Sequence, residues 1–156
     1  MEQKAFQDYY SDDFSQCYGC GKLNEHGLQI KSYWDGDETV ARFSPKEYHT
    51  ATSRFVYGGL IASLVDCHGT GSASAAVYRQ EGRDMDTQPS IRFVTASIKV
   101  DYLAPTPLGV ELEARGKIAQ IKGKKVVVDI RVLANGQTCA TGSVVAVRMP
   151  ETMMIK

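Results

Sequence analysis

Apolar and polar positions alternate with period two over several stretches of the chain. Leu28, Ile30 and Ser32 face one way and Gln29, Lys31 and Tyr33 the other. This is the pattern of a half-buried strand. Asp35-Gly36 follows and suits a tight hairpin turn, and Val40 to Phe43 make the return strand, closed by Pro45. Four more alternating runs come late in the chain. Ile98, Val100 and Tyr102 mark the first, and Val110, Leu112, Ala114, Gly116 and Ile118 the second. Val126, Val128, Ile130 and Val132 mark the third, and Thr138, Ala140, Gly142, Val144 and Ala146 the fourth. Their links are Pro105-Thr106-Pro107, Lys122-Gly123 and Asn135-Gly136, all turn chemistry.

Between the two sets the period changes. After Gly58-Gly59 the segment LIASLVDCHGTGSASAAVYR repeats apolar and small residues at helical spacing, which predicts one helix over 58–80. Gly69 and Gly71 inside it each cost about 1 kcal/mol of helix propensity, so close packing or a ligand must offset them. Residues 1–27 show no sustained period and read as an N-terminal extension, 46–57 as a connection and 80–90 as a loop. Short turns between alternating runs imply antiparallel pairing with one face covered. Only one helix is available as the cover. The expected fold is therefore α+β: five or six antiparallel strands wrapped around one long helix, in a single domain over 1–156.

Composition narrows the choice of partners. Eighteen Lys and Arg balance eighteen Asp and Glu, which argues against a nucleic-acid binder. No apolar run approaches the roughly 18 residues that span a bilayer. The N-terminal stretch is polar and acidic, unlike a secretory signal, so a cytoplasmic location is expected. Four cysteines in a chain of 156 residues, without a leader, are expected to be free thiols. Cys17 and Cys20 form C-x-x-C, but Cys67 and Cys139 are distant in sequence and lie in regular elements, so no metal site is expected. The CYGCG run reads as a tight turn in which Gly19 and Gly21 supply unusual backbone angles.

Asp66 breaks the helix's apolar pattern. A carboxylate in such a stretch is costly unless it is paired or used. It is either a core acid satisfied by a hydroxyl or by His68, or a general base or nucleophile. Gly58 and Gly59 open the helix, where free N–H groups and the positive end of the dipole suit a developing oxyanion. Gly59 and Asp66 are two turns apart, about 10 Å along the axis, too far to serve one carbonyl. Two copies of the chain could bring the Gly58-Gly59 amides of one subunit to Asp66 of the other. His68 faces a different side from Asp66 and is expected to be packed, and Cys67 to be a small core residue.

The run FVYGGLIASLVDCHG resembles the helix signature of hotdog-fold acyl-CoA thioesterases of the phenylacetate-pathway (PaaI-like) type. CYGCGKLNEHGLQI and VTASIKVDYLAPTPLG resemble two further segments of that family, in the same order, so the likeness runs from Cys17 to Arg148. The resemblance implies hydrolysis of an acyl- or aryl-CoA thioester without metal or redox cofactor. It implies Asp66 as base or nucleophile, and Gly58, with Gly59, as donor to the thioester oxygen. Thr95 would orient water or substrate. It also implies a homodimer or homotetramer with intersubunit sites. Tyr57 stands where the family often has His. It can donate a hydrogen bond but is a poor base, so it is expected to touch substrate only. That departure keeps a non-catalytic acyl-CoA-binding module as the alternative. A hydratase ranks last, since the one His near the acid points elsewhere.

Overall fold

The computed structural model describes residues 2–154; residue 1 and residues 155–156 of the expected domain lie outside the described residues. The chain runs through β1 (Ser32–Asp35), β2 (Glu38–Phe43), α1 (Gly58–Gln80), β3 (Phe93–Tyr102), β4 (Leu112–Lys122), β5 (Lys125–Ala134) and β6 (Gln137–Arg148). Short 3-10 turns lie at Phe6–Tyr9, Asp12–Phe14 and Glu151–Met153. The strands form one antiparallel sheet in the order β1-β2-β4-β5-β6-β3. The helix packs on β3, β4, β5 and β6. The expected hotdog architecture is thus present, with the helix over the residues its periodicity marks. No helix among the described residues is long and apolar enough to cross a membrane.

The alternation works as expected where the helix covers the sheet. Val126, Val128, Ile130 and Val132 of β5 are buried, as are Leu112 and Ala114 of β4 and Val144 and Ala146 of β6. The helix glycines now have a reason. A Cβ on Gly69 would stand 2.5 Å from Val144 Cγ2, and one on Gly71 2.9 Å from Gln7 Nε2. Sheet glycines reciprocate: a Cβ on Gly142 would stand 2.6 Å from Val65 Cγ1. These positions trade helix propensity for close contact between helix, sheet and N-terminal segment.

Two expectations about the strands need correction. The first strand begins at Ser32, not at Leu28. The N–H groups of Leu28 and Ile30 bond to the carbonyls of Tyr18 and Gly19, and Gln29 adopts φ +60°. Residues 28–30 are therefore tied to the CYGCG turn instead of to a strand. The second concerns β3. Its apolar set is not fully covered, because Ile98 and Tyr102 stay 40% and 55% exposed. β3 is the last strand of the sheet, so one flank has no neighbour.

Candidate active site

The open flank at β3 holds the residues that the sequence singled out. Asp66 is half-buried, and the Thr95 hydroxyl donates to its Oδ1. His68 is not its partner. A β-bulge sits at this point of β3: Thr95 pairs with Ala146 and Ser97 with Val145, which leaves Ala96 as the extra residue. Bulges re-aim side chains, and this one lies beside the residue that meets the helix carboxylate. Thr95 itself is exposed, so the pair faces out of the fold.

Two turns earlier the helix N-terminus opens on the same edge. The N–H groups of Gly58 and Gly59 have no hydrogen-bond partner among the described residues, whereas the Leu60 N–H bonds to the Tyr57 carbonyl at 3.0 Å. Free donors at a helix start are the ordinary anchor for negative charge. Both glycines are crowded by aromatic rings. A Cβ on Gly59 would lie 2.3 Å from Tyr57 Cε2, so only glycine lets the Tyr57 ring fold back over the helix start. Tyr57 nonetheless stays 58% exposed. Tyr102, from the end of β3, lays its ring 3.4 Å from where a Gly58 Cβ would be and donates its hydroxyl to the Gly58 carbonyl at 2.7 Å. Burial and the neighbouring Tyr57 push the Tyr102 hydroxyl above its ordinary value. Sequence reasoning gave Tyr102 no role. Its only signal was the Y-x-x-P ending of the strand.

An apolar hollow of about 310 Å³ adjoins the helix start, lined by Phe55, Val56, Gly58, Ile61, Tyr102 and Leu103 among others. Residues 54–57 reach this place by pairing with the proline turn. Val56 N–H bonds to Thr106 O, and Leu108 N–H to Arg54 O. A roomier concavity, about 520 Å³, lies at the far end of α1 around Trp34, Tyr78 and Arg79, away from Asp66.

His68 is elsewhere and sealed. It is fully buried, with Nδ1 2.9 Å from Ser32 Oγ and Nε2 3.0 Å from Thr39 Oγ1. Gln7 and Ser72 complete the network through Ser32 and Thr39. Burial lowers the His68 pKa to about 4. The imidazole is neutral near pH 7 and has no route to the Asp66 side. Cys67 is buried as expected, but it is not isolated. Its sulfur and those of Cys17 and Cys20 all lie within 4.8 Å of one another. Distance in sequence hid this convergence.

Residues 54–141 match the family model described as the thioesterase superfamily. A crystal structure of a thioesterase superfamily protein from Shewanella loihica PV-4 is 51% identical, covering 92% of this chain and 99% of that one, with a TM-score of 0.70. The Escherichia coli PaaI protein of the phenylacetic acid degradation operon shares the fold at 18% identity, with a TM-score of 0.64 over 79% of this chain and 81% of that one. An acyl-coenzyme A thioesterase of Xenopus laevis, THEM4, is 32% identical over 87 residues. That stretch is 56% of this chain and spans only 33% of the curated relative's length.

Proposed function

Since this chain belongs to the thioesterase superfamily, we propose that it is a thioester hydrolase that cleaves an acyl- or aryl-CoA ester to the free acid and CoA, with Asp66 as its catalytic carboxylate. The observation that carries the assignment is the position of Asp66: half-buried in the helix, bonded to Thr95, and facing the unpaired sheet edge. A carboxylate sealed in the core could not reach a substrate. This one can.

In this reading the thioester carbonyl oxygen sits on the Gly58 amide, with Gly59 beside it, and the N–H stabilises the charge that develops there. Asp66 takes a proton from water as the water oxygen adds to the carbonyl carbon, or adds to that carbon itself to give an anhydride that water opens. Either way the carbon–sulfur bond breaks and CoA leaves as the thiolate. Thr95 holds the carboxylate in place. Tyr57, exposed over the helix start, contacts the substrate.

The amides and the carboxylate lie about 10 Å apart on one helix, so one chain does not present both to one carbonyl. We assign the complete site to a homodimer, in which the Gly58 amide of one subunit meets Asp66 of the other, or to a homotetramer of such pairs. Support comes from the exposed apolar side chains on this edge, Phe55, Tyr57, Ile98, Tyr102 and Leu103. The unpaired strand β3 adds an open row of backbone groups.

The test is thiol release from short, medium, long and aryl CoA esters, with mass measured by light scattering on the same preparation. Turnover of at least one class by a dimer or tetramer is expected. Binding of CoA esters without turnover of any would replace the hydrolase with a binding module and leave Tyr57 as the departure to explain. A turning-over monomer would remove the intersubunit site.

A further inference from the structure

The three clustered thiols have no part in the proposed hydrolysis. Cys17 and Cys20 come from the N-terminal segment, and Cys67 comes from α1, fifty positions later. Their sulfurs fall within 4.8 Å of one another, and Cys17 Sγ is 3.9 Å from Cys67 Sγ. Two thiolates on one tetrahedral zinc ion, at about 2.3 Å each, are separated by about 3.8 Å. The spacing fits sulfurs that share an ion. It is nearly twice the bonded sulfur–sulfur distance of about 2.05 Å.

The surrounding backbone is shaped for this approach. Gly19 and Gly21 do not have the positive φ that a turn would demand of glycine. They provide room instead. A Cβ on Gly19 would stand 2.3 Å from Cys67 Sγ, and one on Gly21 2.4 Å from the Cys17 nitrogen and 2.5 Å from the Ser15 carbonyl. Without glycine at 19, the helix thiol could not touch the C-x-x-C turn. Gly21 N–H closes the turn on the Cys17 carbonyl at 2.8 Å. Cys20 and Cys67 are buried, while Cys17 is exposed. A hollow of about 300 Å³ borders Cys17 and Cys20 and leaves space for one further small ligand.

From this geometry we propose that Cys17, Cys20 and Cys67 form a three-thiolate site for a thiophilic d10 cation, zinc(II), with its fourth position open to water at the exposed Cys17. Each thiol binds as the thiolate and loses its proton to solvent. The site ties the N-terminal segment to α1 one residue from Asp66. The inference does not rest on the thioesterase reading, and its readouts are spectroscopic and conformational.

The test uses the full chain, reduced, metal-free and under anaerobic conditions, titrated with cobalt(II) and then zinc(II). One equivalent of cobalt is expected to bind, with thiolate-to-cobalt charge-transfer bands and intense tetrahedral d–d absorption, and zinc to displace it. Cys17→Ser and Cys67→Ser should each abolish stoichiometric binding. Cys139→Ser, which alters a buried thiol outside the cluster, should leave it intact and controls for folding. Gly19→Ala keeps every ligand but crowds Cys67, and should weaken cobalt binding by roughly tenfold or more. Zinc should also slow amide exchange over residues 15–30. Absence of saturable binding in the folded wild type would overturn the proposal. Full binding in Cys67→Ser would reduce it to the C-x-x-C pair and refute the three-thiol site. A disulfide within the cluster, with no metal uptake after reduction, would refute it in favour of a redox pair.

Discussion

Asp66 and His68 stand two residues apart on one helix and end in opposite situations. His68 points into the sheet, where Ser32, Thr39, Gln7 and Ser72 satisfy its ring and each other and no solvent enters. Asp66 points to the last strand, where Thr95 donates to it and the flank beyond is open. The same helix thus carries one polar group sealed in a structural network and one left partly accessible. Polar residues in an apolar helix are not functional by rarity alone. What separates them is whether the fold closes their hydrogen bonding or leaves a side free for a substrate.

That contrast predicts different kinds of damage. The largest effect should come from Asp66→Asn, which keeps the shape and removes the proposed catalytic carboxylate. Thiol release should fall by about a thousandfold or more at unchanged melting temperature. Next is His68→Leu. It leaves buried hydroxyls short of partners and should cost about 2–3 kcal/mol in urea unfolding, with activity per folded molecule preserved.

His68 should also leave a mark on acid stability. In the unfolded chain it takes a proton near its ordinary value of 6.5, and in the fold only near 4. Between these values the unfolded state binds the extra proton. Its contribution is therefore complete above about pH 6.5 and is lost as pH falls toward 4, about 3 kcal/mol across the window. Urea unfolding at a series of pH values should show that slope in the wild type and a shallower one in His68→Gln.

Two smaller effects sharpen the open side. Thr95→Val removes the donor to Asp66 and should lower kcat about tenfold with little change in KM, while Thr95→Ser restores it. A fall in KM-linked binding alone would make Thr95 a substrate contact instead of a positioning residue. Tyr102→Phe loses the bond to the Gly58 carbonyl. It should cost about 1 kcal/mol, which is a drop of roughly 2–4 °C in melting temperature.

Periodicity made the helix and the covered strands legible, because β5 and β4 alternate against a single cover. The familiar pattern of segments singled out Asp66 and Thr95, which the fold brings into hydrogen-bond contact, and the packed state of His68 was legible through its helical angle to Asp66. Other features depended on contacts between distant segments, which no local pattern carries. Leu28 and Ile30 alternate like a strand, yet their N–H groups go to the Cys17–Gly21 turn. Gly19 looks like a turn residue and is in fact a gap for Cys67. Tyr102 is one tyrosine in a strand until its hydroxyl reaches the helix start. The exposure of β3 follows from strand order, which alternation does not encode.

The most direct test of the contrast is thiol release by Asp66→Asn and His68→Gln, side by side, on a CoA ester that the wild type hydrolyses, with rates normalised to folded protein. Loss of turnover in Asp66→Asn with near wild-type turnover in His68→Gln is the predicted result. Wild-type turnover in Asp66→Asn, or its loss in a folded His68→Gln, would contradict the account.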